Sequence, residues 1–319
     1  MNDMSLDFEA NMGNLDDDAW YARLEELSDE LGYFQPLNDD HVAVLLDAGP
    51  NLLVIFENAA QIRKDSPNAE PHGFRFVKNE GWTHLAIISR EESWFRDVSI
   101  YRYFDRLIDD GFFEDFDNVL FYGVNGGGYA ATAYCAASPG CNVLAIRPQA
   151  TLDPRITGWD TRHTAQRRLN FSDRFGYGPD MIDAANHAYI AFDPLQRWDA
   201  CHAGMFTKSN MTPLRCFGAS ARVEMLLGRL DILDGLIRDA MDKTLDAAKF
   251  AKAYRARREN ILYLVNLFKR MIQTDHPKLA ANVCAYALRN HDNQFFKTKL
   301  AELMDAGHMP STPVEIDAA

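Results

Sequence analysis

The residues Phe121-Tyr122-Gly123-Val124-Asn125-Gly126-Gly127-Gly128-Tyr129-Ala130-Ala131 decide the fold. The apolar run NVLFYG (118–123) reads as a buried strand, and the segment through Tyr129 to Ala137 as a helix. Between them, Gly123 and Gly127 stand two residues either side of Asn125. A strand that turns sharply into a helix holds its central residue at positive φ. The flanking positions must then be small, because strand and helix approach closely. Both demands are met here: the flanks are glycines, and Asn is among the few side chains that tolerate left-handed backbone.

On either side of this turn, strands and helices alternate. THLAIIS (83–89) is followed by a helix through Tyr101 to Asp110, and NVLAIR (142–147), HAYIAFD (187–193) and TPLRCFG (212–218) read as further strands. Short apolar runs flanked by helical segments are what doubly covered parallel strands require. HVAVLLDA (41–48) and NLLVIFEN (51–58), split by Gly49-Pro50, read as strand, tight turn, strand. The expected fold is therefore α/β, a doubly wound, mostly parallel sheet with an antiparallel N-terminal edge. Residues 16–32 read as an acidic amphipathic helix with Trp20, Leu24, Leu27 and Leu31 on one face. No strand signal remains after about residue 221, and 249–273, 278–290 and 294–306 read as amphipathic helices. The expected organisation is an acidic segment at 1–34, an α/β unit at 35–235 and a helical extension at 236–319.

The turn and its context resemble the nucleophile elbow of the α/β-hydrolase fold. The chain is similar in particular to a bacterial group whose elbow reads roughly Gly-Ser-Ser-Met-Gly-Gly-Tyr-Ala-Ala and whose next strand is followed by a Pro-Gln pair. Pro148-Gln149 stands at that place. The likeness spans about residues 40–235 on element spacing, and its specific match is confined to the elbow and the following strand. It implies a triad in the order nucleophile, acid, histidine. Those positions fall on Asn125, on Asp193 after the strand 187–192, and on Ser220 after the strand 212–218. Two of the three depart from the pattern: a carboxamide is no usable nucleophile, and Ser220 offers no base near neutral pH. What the resemblance then implies is a catalytically degenerate scaffold, a pseudoenzyme, that binds a small ligand or a protein partner through the former active-site cleft. The amide of Gly126 would be a donor there. Gly126, Gly127, Gly128, Tyr129, Arg147, Gln149 and His163 are the ligand-binding candidates.

A second reading keeps catalysis. His202, in WDACHAGMF, stands nine residues after Asp193 on an expected helix and is an alternative base for a hydrolase or transferase with a nonstandard constellation. The bland alternative is a structural histidine, the commoner fate of an isolated one. His163, in DTRHTAQRR, falls in the polar stretch where hydrolase folds carry cap insertions, and His187 reads as structural. Deamidation of the Asn125-Gly126 pair would place a carboxylate at the elbow, but the missing histidine would still have to be supplied. A third reading is a nucleotide-binding oxidoreductase. Gly126-x-Gly128-x-x-Ala131 matches a dinucleotide pattern at a helix N-terminus, with Arg147 available to the 2′-phosphate of NADP. Against it, the pattern follows the fourth recognisable strand rather than the first, and no acid ends the strand 142–147. Bacterial proteins similar to this one are sometimes labelled phosphoadenosine phosphosulfate reductases. The run Asn125–Tyr129 lacks the Ser, Lys and Asp of their phosphate loop, and Cys284 sits in an apolar NVCAYAL helix.

Composition narrows the partners. The net charge is −13, and residues 1–34 hold ten acids and one base while 243–319 hold twelve bases and eight acids. So acidic a chain has no footprint for nucleic-acid phosphates and would be repelled by an anionic membrane surface. The basic helical face around Lys252, Arg255, Arg257 and Arg258 reads as a solvated surface or a partner for the acidic N-terminus. Self-association through the C-terminal helices is a further possibility for it. Five cysteines without paired spacing, and an N-terminus MNDMSLDFE without a basic or apolar region, make the cytoplasm the expected compartment. The residues imply no cofactor and no metal. The aromatic run from Trp94-Phe95 to Phe116 reads as core packing.

Overall fold

Eight strands form a single sheet in the computed structural model, which describes residues 12–312. The stretch 1–11, read above for targeting, lies outside the described residues. The strands are β1 (Gly32–Pro36), β2 (His41–Leu46), β3 (Asn51–Asn58), β4 (Thr83–Ser89), β5 (Asn118–Val124), β6 (Asn142–Ile146), β7 (His187–Phe192) and β8 (Met211–Arg215). Their order is β1-β2-β4-β3-β5-β6-β7-β8. β1 and β2 pair antiparallel, β2 runs antiparallel to β4, and every pair from β4 to β8 is parallel. This is the doubly wound, mostly parallel sheet with an antiparallel N-terminal edge.

Two details of the sheet differ from the sequence reading. β1 was not foreseen, because GYFQP begins with Gly, ends with Pro and is only partly buried. Such a strand survives at an edge, paired on one side alone. The second difference concerns β2 and β3, which do not pair although only Gly49-Pro50 and their neighbours separate them. β4 lies between the two and hydrogen-bonds to both. The connection passes over the start of β4, where a Cβ on Gly49 would lie 2.3 Å from the carbonyl oxygen of Gly81. The amides of Ala48 and Gly49 donate to the Thr83 hydroxyl at 3.0 and 3.1 Å, pinning the crossing.

Successive residues of a strand face opposite sides of the sheet, and here both sides are apolar. Leu52, Val54, Phe56, Phe121 and Val143 enter one core, together with α4 (Val98–Asp109) and α5 (Gly126–Tyr134). Leu53, Ile55, Leu120, Tyr122 and Leu144 enter the other, which continues into the C-terminal helices as far as Phe296 and Leu300. The acidic helix α1 (Asp17–Asp29) is N-capped by Asp16 and packs Trp20 and Leu24 on β2, β4, α2 (Ala59–Asp65) and α3 (Phe74–Glu80). Trp20 Nε1 donates to the Ala69 carbonyl at 2.8 Å. Asp17 of this helix pairs with Arg63 on α2 rather than with the basic C-terminal face. The helix expected at 249–273 is divided. Ala247–Ala253 tightens into a 3₁₀ turn through Glu259, and Asn260 caps a new helix, Ile261–Gln273, by accepting the Tyr263 amide at 3.0 Å. An Asn side chain competes for backbone donors and so favours a cap over a helix interior. No helix of the described residues is long and apolar enough to cross a membrane.

The elbow is built from close backbone contacts. Asn125 adopts φ 52 and ψ −118, with its amide donating to the Ile146 carbonyl at 2.9 Å. A Cβ on Gly123 would lie 2.2 Å from the Gly127 carbonyl oxygen, and one on Gly127 2.2 Å from that of Phe56. Gly127→Ala should therefore cost about 2–3 kcal/mol, the range of an overpacked core, in chemical denaturation. Asn125→Gly, which relaxes the positive φ, should change stability by no more than about 0.5 kcal/mol, whereas Asn125→Val should cost about 1–3 kcal/mol.

Candidate functional site

Strand order alone locates the site. From β3 the chain proceeds to β4 on one side, and from β5 to β6 on the other. The two connections leave in opposite directions, and a crevice opens at the carboxyl ends of the strands at such a switch point. A cavity of about 370 Å³ occupies it, with Asn125, Gly126 and Gly127 contributing to its wall. Asn58 at the end of β3 caps α2 by accepting the Gln61 amide, and its Nδ2 donates to the Arg90 carbonyl at 3.1 Å. The loop after β4 holds two consecutive residues in left-handed geometry, Trp94 at φ 54 and Phe95 at φ 56. Such strain persists only where surroundings over-determine it. Trp94 lies against the start of α5, its indole 3.5 Å from where a Cβ on Gly126 would stand, and its ring centroid is 4.9 Å from that of His163. The aromatic run is core, as expected, and Trp94 and Phe95 line the cavity as well.

Of the candidates read from the sequence, Asn125, Gly126, Gly127, Arg147 and His163 share this cavity. Gly128, Tyr129 and Gln149 do not line it. Gly128 packs under the Ile146 carbonyl and Pro148, while Tyr129 is buried with its hydroxyl donating to the Phe175 carbonyl at 2.7 Å. Gln149 is buried and its Oε1 has no hydrogen-bond partner among the described residues. The cationic groups are already compensated. Arg147 Nε meets Asp199 at 2.7 Å, and Arg162, another lining residue, pairs with Asp199 at 2.5 Å and Asp160 at 2.7 Å. Burial drives His163 toward its neutral form, and Arg162 adds to that.

The triad positions do not form a relay. Asp193 is buried, accepting the Leu195 amide on one oxygen at 2.9 Å and the Ser220 amide on the other at 2.7 Å. Ser220 itself sits at φ 57. The structure does not bring His202 to Asp193. His202 is fully buried, with Nδ1 accepting the Ala150 amide at 3.1 Å and Nε2 facing Asp160 at 3.0 Å. An Nδ1 that accepts leaves the proton on Nε2, so both nitrogens are committed. Burial lowers the His202 pKa to about 4, against the pull of Asp160. Burial would raise Asp160, but hydrogen bonds from Arg162 and His202 win and hold it near about 2. The buried groups Asp160, Asp199 and His202 thus join the two cavity-lining arginines, Arg147 and Arg162, in one network.

The sequence reading missed the other end of the cavity, lined by Glu57, His72, Arg75, Tyr122 and Glu224. Burial raises Glu57 to about 8, the His72 amide that it accepts at 3.1 Å lowering it and Glu224 raising it further. Burial and Asp65 raise Glu224 to about 7. His72 is depressed to about 3 by burial and Arg75. Two carboxyls that both hold their protons well above the ordinary carboxylate range in one cleft are the kind of perturbation that clusters at functional sites. One signal was available: Glu57 is the sole acid in the apolar run NLLVIFEN and stands at the carboxyl end of a buried strand. Among the described residues no group of three or more His, Cys, Asp or Glu side chains is placed to hold a metal ion, and all five cysteines are unpaired.

No protein-family model matches the chain, and no curated protein matches it in sequence. Solved structures similar to it include the Glycosylation Associate Protein (Gap123) complex from Streptococcus agalactiae, at 14% identity and TM-score 0.47. The match covers 64% of this chain and 45% of that one, so this chain spans less than half the length of that neighbour. A capsule O-acetyltransferase of Neisseria meningitidis serogroup A in complex with CoA is similar at 13% identity and TM-score 0.42, covering 63% and 92% of the two chains. A carboxyl esterase from the mycorrhizal fungus Tuber melanosporum is similar at 13% identity and TM-score 0.39, covering 63% and 83%.

Two outcomes follow for this network and cleft. His202→Ala strips the Ala150 amide and Asp160 of a partner and should cost about 2–4 kcal/mol in urea denaturation. A carboxyl whose folded pKa exceeds its unfolded one binds its proton more tightly when native, so its contribution to stability falls as pH rises from the unfolded value toward the folded one. For Glu57 that window runs from 4.5 to about 8. Glu57→Gln should therefore melt like the wild type at pH 4.5 and exceed it at pH 8.5, by at least about 1 kcal/mol at about 1.4 kcal/mol per pKa unit.

Proposed function

We propose that this protein is a catalytically degenerate α/β-hydrolase-fold protein that binds a small ligand in the cavity above its elbow. The observation that carries this reading is the coexistence of an elbow with strained Asn125 geometry and an acid position whose oxygens are occupied by backbone amides. In support, the elbow position carries a carboxamide in place of a nucleophile, and His163, a cavity histidine beside Trp94, has no carboxylate hydrogen bond among the described residues to orient it. The volume suits a ligand of modest size, since small-molecule pockets begin near about 300 Å³. The amides of Gly126 and Gly127 at the start of α5 supply donors with no chemistry attached. Residues 35–235 carry every lining residue of this site.

The nonstandard hydrolase reading is weakened by the commitments of His202 but keeps one foothold, the upward-shifted carboxyls of Glu57 and Glu224. Ester hydrolysis separates the two readings. Wild-type protein should turn over no member of a panel of nitrophenyl esters above the buffer rate. Asn125→Ser combined with Ser220→His should gain measurable turnover. His tolerates the positive φ at position 220, and a carboxylate with two amides bound still has acceptor sites for an imidazole. Wild-type turnover comparable to that of the double variant would sink the degenerate-scaffold reading.

A further inference from the structure

The cavity wall is electrostatically lopsided. Each of its arginines has a carboxylate: Arg75 lies 3.4 Å from Asp234, Arg147 pairs with Asp199, and Arg162 with Asp160 and Asp199. Glu57 and Glu224 have no ion-pair partner among the described residues, and the contact that Glu57 makes is the His72 amide. Beside them the Tyr122 side chain is only 2% exposed, and its hydroxyl has no hydrogen-bond partner among the described residues although it lines the cavity. A buried hydroxyl without a partner is destabilising, a deficit that a bound group would remove. His72 Nε2 is likewise unpartnered, 3.7 Å from Asp234 and too distant for a hydrogen bond.

Resting on the ligand-binding reading above, we infer that the ligand carries a protonated amine on a partly apolar body, its ammonium seated between Glu57 and Glu224 beside the Tyr122 hydroxyl. The chemistry of the wall decides the sign. An anion would find every nearby cation already neutralised. An ammonium finds two carboxyls without a counter-charge and a hydroxyl free to accept, and its stem meets Ile55, Phe56, Ile62 and Phe95. The groups facing the two carboxyls are Asp65 from α2, His72 and Arg75 at α3, Asp234 from the helix Leu233–Met241, and Arg147 after β6. None of these supplies an uncompensated positive charge. At pH 6 the two carboxyls hold protons, and they release them to solvent when the ammonium enters, because an adjacent cation favours the ionised form.

Three probes of one length test this: hexylamine, 1-hexanol and hexanoate, titrated calorimetrically into the full chain at pH 6 and pH 8 in buffers of different ionisation enthalpy. Hexylamine should bind at least tenfold more tightly than 1-hexanol at pH 8, more tightly at pH 8 than at pH 6, and with release of at least one proton at pH 6. In Glu57→Gln and Glu224→Gln, the ratio of hexylamine to 1-hexanol affinity should collapse toward one. Both substitutions keep side-chain shape, and Tyr122→Phe, which removes only the hydroxyl, should lower hexylamine affinity severalfold. If 1-hexanol or hexanoate binds as well as hexylamine, or no proton is released, the amine inference falls while the ligand-binding reading stands. If none of the three binds, both fall.

Discussion

The contact between the backbone of Gly127 and the carbonyl of Phe56 is the constraint on which the site depends. The first turn of α5 lies so close to the end of β3 that no side chain fits between them. That proximity sets the depth of the crevice at the switch point and fixes where the free amides of α5 point. It also forces the residue between Gly123 and Gly127 into left-handed geometry, whatever its chemistry. Asn125 is held there, at φ 52 and ψ −118, by the packing around it. The shape of the turn and the chemistry of the residue at its apex are separable requirements.

The charge on the chain has a local counterpart. Buried ion pairs are weak evidence for stability, but removing one partner leaves an expensive uncompensated charge. The network of Arg147, Arg162, Asp160, Asp199 and His202 is closed in that sense, since each charged member has its opposite. It walls one side of the cavity without offering a free charge to it. The opposite wall avoids the same penalty by protonation rather than by pairing, with Glu57 and Glu224 shifted upward. One cleft thus holds two solutions to the cost of burying charge. Only the second can be altered by what enters.

Much of the fold was legible because its signals are local. Apolar runs at 83–89, 118–123, 142–147 and 187–193 announce buried strands, and spacing alone marks the elbow and the helix Pro277–Asn290. What escaped depends on neighbours distant in sequence. β1 is a strand only because β2 offers it an edge, and the order of β2, β4 and β3 follows from pairing rather than proximity along the chain. Of the site, the elbow residues could be read but the acid end could not. Tyr122 falls within the apolar strand run NVLFYG, and no local pattern marks out Glu224. Their meaning lies in facing one cavity from different elements. His202 shows the converse: a suggestive spacing from Asp193 along the chain led to a residue whose two nitrogens are bound elsewhere.

The crossing at Gly49 carries a consequence for how the molecule is made. β2 and β3 emerge consecutively, yet the strand that separates them in the sheet is synthesised some twenty-five residues after β3 ends. A hairpin of β2 on β3 would be the quickest pairing available to the nascent chain, and it would have to be broken before β4 could insert. Non-local pairing of this kind is slow and leaves strand edges open while it waits. Thr83, whose hydroxyl receives the amides of Ala48 and Gly49, is the first residue of the late strand. Its arrival closes the gap between β2 and β3 at the same moment that it fixes the crossing.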